Sequence, residues 1–350
     1  MFWELAGVPA VAVRRGGRVE SIHNVAACAA DVDGTVVARV GTIDTPVFLR
    51  SSAKPFIAAA AVRAGVLERF GFGERELAVM CASHNGEPGH VDLVASMLER
   101  IGASVDDLAC GVHPPSYEPA AAALAAHGER PTQLHNNCSG KHAGILALAK
   151  VLGAPFAGYT EPSHPAQRTI LALCGRVSDD VFEGDALAVD GCGIPVYATT
   201  LRKAAVSFAR MATLRGLDDD DATALARVTS AMASEPWYVA GTGRFDTDLI
   251  RATGGRVVGK AGAEGVHCDA LLDAGIGVAL KVTDGTRRAA SPATLAVLDA
   301  LHALEPAARE AMRPHAFVPV KNVAGNVVGE VAALEGWLPS GSNPPAHPAV

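Results

Sequence analysis

The chain has 350 residues, a formal net charge of −7 and a pI near 5.9; with no basic stripe to offset that acidity, nucleic acid is excluded as a partner. Forty-nine per cent of residues are hydrophobic and only 5% aromatic, so a sizeable core of small side chains is expected, in a chain longer than one usual domain but short of three. No apolar run reaches the roughly 18 residues a membrane span needs, and Met1-Phe2-Trp3-Glu4-Leu5 places an acid where a secretory leader carries bases; no membrane partner and a cytoplasmic location are expected.

The N-terminal stretch reads as strands at Val11–Val13, Val25–Ala30 and Val36–Val40, separated by the turn signals Arg15-Gly16-Gly17 and Asp31-Val32-Asp33-Gly34. A helical block follows, with apolar residues at helical spacing over 54–70, 89–101, 118–127, 139–152 and 163–175. Strands return near 187–189, 256–258 and 276–282, with helices near 196–213, 221–233 and 291–304 between them. This order predicts a sheet region from residues 1–50 plus about 180–338, and a mainly helical region over about 51–179. The Pro-, Ser- and Asn-rich 339–350 reads as a flexible tail. Strands and helices do not alternate from the start, so a doubly wound parallel sheet is disfavoured against α/β (α+β) with a mainly antiparallel sheet flanked by helices.

Arg50-Ser51-Ser52-Ala53-Lys54-Pro55 contains Ser-x-x-Lys, a spacing that puts hydroxyl and amine on one helical face, one turn apart. A neutral amine there can take the serine proton, provided burial or a second cation lowers its pKa from about 10.4. Alone the motif is weak, and a helix cap followed by a surface lysine explains it equally well. The chain has only seven lysines, however, and Ser83-His84-Asn85 and Lys260-Ala261-Gly262 follow in the order found in serine penicillin-recognising enzymes. Against a loop hydroxyl at Ser83 and a strand-edge charge at Lys260, the ordered set favours catalysis.

His135-Asn136-Asn137-Cys138-Ser139-Gly140-Lys141-His142 and Asp190-Gly191-Cys192-Gly193-Ile194-Pro195 concentrate thiol, amide and imidazole groups at loops. Seven cysteines without a C-x-x-C pair imply free thiols in a cytoplasmic chain. Buried thiols are the plain reading of Cys138 and Cys192. Zinc ligation, with Lys141 or a histidine as a further donor, and a Cys138 nucleophile with His142 as base are the alternatives. Gly254 to Lys260 matches a phosphate-loop spacing, but Ala261 stands where the Mg²⁺-binding Ser or Thr belongs.

Five segments, Arg50–Phe56, Ser83–Glu87, Asn136–His142, Asp190–Pro195 and Lys260–Gly265, resemble the asparaginase II family, the serine–lysine type of L-asparaginase, over about residues 8 to 338. The resemblance implies a fold similar to serine β-lactamases and glutaminases, a homodimer, and L-asparagine as the small-molecule substrate. It implies a catalytic set of Ser51, Lys54, Ser83 and Lys260, and zinc held by Cys138, Lys141 and Cys192. Arg50, His84, Asn85, Asp190, Glu264 and Gly265, all in these segments, are the expected substrate-binding residues. Arg50 and Asp190 are the expected partners of the substrate's α-carboxylate and α-ammonium. The competing readings are a β-lactamase or penicillin-binding hydrolase, a glutaminase, a metallo-amidohydrolase and a non-catalytic zinc-binding module.

Overall fold

The computed structural model describes residues 5–338, which divide into two units. A sheet unit takes residues up to Ser52, then Ala198–Gly216, then those from Asp248 onward; a helical unit takes Ala53–Tyr197 and Leu217–Thr247. The tail expected at 339–350 lies outside the described residues. Among the described residues no helix is long and apolar enough to cross a membrane.

Eleven strands occur among the described residues. The N-terminal part supplies β1 (Val8–Arg15), β2 (Arg18–Ala30), β3 (Val36–Val40) and β4 (Pro46–Phe48). After the helical block come β5 (Leu187–Val189), β6 (Pro195–Thr200), β7 (Val257–Ala261), β8 (Val266–Leu271), β9 (Ile276–Val282), β10 (Phe317–Lys321) and β11 (Val327–Ala333). The large sheet runs β10-β11-β1-β2-β9-β8-β7, with β3 also on β2, and every pairing is antiparallel. It therefore joins strands from both ends of the chain in one sheet. The continuous apolar run Val25–Ala30 is buried at every position. It pairs with β9 on one edge and, over its last residues, with β3 on the other, and such runs mark strands covered on both faces. Helices Leu201–Thr213 and Arg287–Ala300 pack against this sheet.

In the helical unit, Lys54–Arg63 is buried at every position except Arg63, and Ser139–Val151 is buried from Ser139 to Ala149. A helix enclosed on all sides belongs at the centre of its unit, and these two pack on each other and on Pro165–Ser178, Asp219–Ser234 and Glu74–Met80.

Several sequence expectations shift. The helix expected over 196–213 starts only at Leu201, because Pro195–Thr200 forms β6 and the Thr200 hydroxyl caps the helix by accepting from Lys203 N. The 54–70 helix is two, broken around Ala64-Gly65. Lys260 lies within β7 rather than beyond its end, and β4, β8, β10 and β11 had no counterpart among the expected strands. Residues 217–247, placed by sequence with the sheet, group with the helical unit, as do 180–197. The reason is an ionic clasp. Asp221, 1% exposed, accepts from Arg63 Nη1 (2.6 Å) and from Arg176 Nε (2.7 Å) and Nη2 (2.9 Å), tying Asp219–Ser234 to two other helices of that unit.

Candidate active site

In the sheet unit, Ser51 and Ser52 lie in the 3₁₀ turn Arg50–Ala53, which runs directly into the helix beginning at Lys54. Arg50 enters the turn at φ 53°, a left-handed conformation that costs a non-glycine residue of order 1 kcal/mol or more and that concentrates at functional sites. Ser52 is wholly buried, and its Oγ donates to the Lys260 carbonyl at 2.8 Å. Ser51 is half-buried. Of the two adjacent hydroxyls, Ser52 is thus committed to holding the turn against β7. The Lys260 side chain is fully buried opposite Cys268, and its Nζ donates to the Ala261 carbonyl at 2.7 Å. The β7–β8 turn carries Glu264, exposed at φ 57°, and the buried Gly265 at φ 67°. A Cβ on Gly265 would stand 2.7 Å from that of Val282, so packing and backbone conformation account for the glycine without a ligand.

In the helical unit a connected polar cluster is buried. Lys54, 1% exposed, donates from Nζ to the Ala82 carbonyl and to Ser83 Oγ, the latter at 3.0 Å. It also hydrogen-bonds to Cys138, which is hydrogen-bonded in turn to Cys192. Lys141 Nζ donates to Cys192 Sγ at 2.8 Å, and Asp190 Oδ2 is 3.8 Å from the same sulfur. Local structure explains the convergence. Cys138 precedes the Ser139–Val151 helix, where its N–H is held by Asn136 Oδ1 (2.9 Å) while Asn136 Nδ2 donates to the Cys110 carbonyl (2.8 Å). Lys141 follows in the first turn. Cys192 sits in the tight turn closed by Gly193 N to Asp190 O at 2.9 Å.

The electrostatics of this cluster are strongly coupled. The Cys138 thiol is held well below its ordinary range, chiefly by the hydrogen bond from Cys192, with Lys141 and Lys54 adding to it against burial. Cys192 is pushed up, by that same hydrogen bond and by burial. Burial opposes the Lys141 charge, but Cys138 and Cys192 outweigh it and hold the ammonium above the usual lysine range. The cluster thus sets two thiols, one of them favoured as a thiolate, around a buried ammonium.

Among the described residues no three His, Cys, Asp or Glu side chains gather as a metal site. The implied zinc set differs in drawing its third donor from a lysine. Two sulfurs and a nitrogen gathered together suit a soft-tolerant dication, and deprotonated thiols would supply the negative charge that such an ion needs. Ligation requires Cys192 and Lys141 to release their protons, as metal sites generally do on loading. These residues fit the group.

Other expected site residues do not fit as expected. His84 is wholly buried with both ring nitrogens engaged: Gly86 N donates to Nδ1 (3.2 Å), so Nε2 carries the proton and donates to Ser139 Oγ (2.9 Å). Burial, the largest cause, holds its pKa well below the ordinary histidine range and keeps it neutral. No edge is left for a ligand, and His84 is corrected from substrate binder to brace. Asn85, 2% exposed, donates weakly to the Thr242 carbonyl at 3.4 Å, while its Oδ1 has no partner among the described residues. His142 is unsuited to be the base of a cysteine nucleophile. Its Nδ1 is hydrogen-bonded to Tyr159 OH (2.5 Å), which accepts from Ala109 N (2.8 Å), and burial keeps the ring neutral. Sequence reasoning missed Tyr159, which carries no motif signal.

The helical unit thus sets a buried amine against a serine hydroxyl, beside a thiol cluster. The chain belongs to the L-asparaginase II family, whose model matches residues 11–333. A search of curated proteins returns no match. Among solved structures, Mglu in its native form is similar at 17% identity and a TM-score of 0.35, covering 81% of this chain and 60% of Mglu. The chain thus spans less than two thirds of that relative's length. A simvastatin synthase mutant from Aspergillus terreus is similar at 12% identity and a TM-score of 0.33, covering 83% of this chain and 90% of that one. Likenesses this remote decide nothing about the site.

Proposed function

We propose that the protein hydrolyses L-asparagine to L-aspartate and ammonia through an acyl-enzyme on Ser51. The observation that carries this reading is Lys54, buried and 3.0 Å from Ser83 Oγ, three residues along the chain from Ser51. Burial disfavours a charged amine, which is the condition for a lysine to act as base. Ser51 Oγ attacks the side-chain amide carbon as Lys54 takes its proton. The C–N bond then breaks, with Ser83 and Lys260 delivering a proton to the departing ammonia. Water cleaves the resulting β-aspartyl ester by the reverse proton path. The backbone N–H of Ser51, in the turn held by the Ser52 bond to Lys260, is suited to help stabilise the oxyanion. Arg50 and Asp190 serve the substrate's α-groups.

Zinc belongs to the same reading: Cys138, Lys141 and Cys192 would hold it, and when bound it supplies a fixed positive charge that orients substrate. The reading extends to a cytoplasmic homodimer.

Ser51→Ala should abolish ammonia release from asparagine, a loss of several orders of magnitude, with the fold intact, while Ser52→Ala keeps activity within about tenfold of wild type and loses about 1 kcal/mol of stability. Mass spectrometry of quenched wild type should find an aspartyl adduct on the Ser51 peptide. Wild-type turnover in Ser51→Ala would overturn the mechanism; hydrolysis of nitrocefin in preference to asparagine would favour the β-lactamase reading.

A further inference from the structure

The segment Glu235–Arg244 carries no motif that the sequence analysis used, yet it is hydrogen-bonded to the Ser83–Glu87 loop through both backbone and side chains. Ser83 N donates to Val239 O and Asn85 N to Ala240 O, both at 3.0 Å, so the two segments pair through their backbones. Glu87 is the N-cap residue of the helix Pro88–Ile101, but its carboxylate does not cap that helix. It accepts instead from Thr242 N and from Thr242 Oγ1, both at 2.8 Å. A buried carboxylate gripping two donors of one residue is a directional clamp, and its two bonds to a charged acceptor are of the stronger kind.

Ring stacking extends this contact. Trp237 lies on His90 with centroids 4.0 Å apart and 18° between planes, and His90 lies on His84 at 5.0 Å and 9°. His90 Nε2 donates to the Trp237 carbonyl at 3.1 Å. His84 then reaches Ser139, the first residue of the helix that presents Lys141, and Ser139 Oγ donates to Leu134 O at 2.9 Å. Gly241 permits the close approach: at φ 105°, a Cβ there would stand 2.3 Å from Asn85 Oδ1.

We infer that Glu87 and Thr242 are positioning residues, which act through the backbone of the Ser83 loop to hold Ser83 Oγ at Lys54 Nζ. The role follows from connectivity. Ser83 is anchored on its side-chain face by Lys54 and on its backbone face by Val239, and Thr242 is the point at which the second anchor is fastened. This inference rests on the proposed function for its kinetic consequence, but not for its structural one.

The test compares Thr242→Val, which keeps shape and the N–H but removes the hydroxyl, with Thr242→Ser, which keeps both donors. In Thr242→Val, kcat on asparagine should fall about tenfold with KM within twofold, as expected for a displaced catalytic group rather than a lost substrate contact. Thr242→Ser should behave as wild type. Amide hydrogen exchange supplies a readout that needs no turnover: protection of the Ser83 and Asn85 amides should drop in Thr242→Val and hold in Thr242→Ser, with amides of Lys54–Arg63 unchanged in both. An inactive wild type would defeat the proposed function while leaving the exchange result to judge the brace. Unaltered Ser83 and Asn85 protection in Thr242→Val, or loss spread evenly over the helical unit, would overturn the inference. So would a Thr242→Ser variant as impaired as the valine.

Discussion

The two units bury polar groups in different ways. The sheet unit encloses Ala and Val runs such as Val25–Ala30 and places few ionisable groups among them, chiefly Lys260 and the His267–Asp269 pair, whose Nε2 and Oδ1 are 2.9 Å apart. The helical unit buries Lys54, His84, Glu87, His90, Lys141, His142 and Asp221 together with the Cys138–Cys192 pair. Burying such groups costs free energy unless each is paired, and nearly every one has a named partner. The lesson is that the helical unit buries a connected network of polar groups, whereas the sheet unit buries mostly apolar strands. The helical unit should accordingly be the more sensitive to pH, to metal removal and to single polar substitutions.

The largest expected effect is on metal. Cys138→Ala or Cys192→Ala should bring zinc content, measured by plasma emission on purified protein, to near zero, and should chiefly raise KM if the ion orients substrate. A fall in kcat as deep as that of Ser51→Ala would make the ion the catalyst. Stoichiometric zinc in the double variant would remove the site from consideration.

Next comes the clasp. Asp221→Ala strands Arg63 and Arg176 without their shared acceptor. Both guanidiniums are partly exposed and Arg63 keeps Asp218, so the loss should be about 1 kcal/mol, which denaturant titration should register. If the asymmetry between the units is real, exchange protection should collapse in the helices and persist in β1, β2 and β9. Equal loss in the sheet would show that the two units share one cooperative transition.

The last effect is that of pH. Burial lowers His90 to about 4 from an ordinary value of 6.5, and His84 and His142 move the same way. All three are neutral in the fold, so the unfolded chain binds more protons between the two values, and stability falls as pH drops from 6.5 towards 4. His90 alone should remove about 2 kcal/mol between pH 6.5 and 5. Melting temperatures across that range should fall, and fall less in His90→Gln. A flat profile would mean that compensating groups had been overlooked.

The motifs, the central strands and the two enclosed helices were legible in the amino-acid order, because hydrophobic periodicity and Ser-x-x-Lys spacing are local properties. So was the sheet built from both chain ends, since strand-like runs bracket the helical block. Tertiary structure alone decided the rest. It set Ser52 to work as a structural tie, leaving Ser51 free, and it turned His84 inward as a brace. It also moved 217–247 from the sheet to the helices. These outcomes depend on which side chains meet after the chain has packed, and that depends on contacts between residues far apart in sequence. A hydroxyl next to a hydroxyl, or an imidazole in a loop, reads the same in either role until its neighbours are in place.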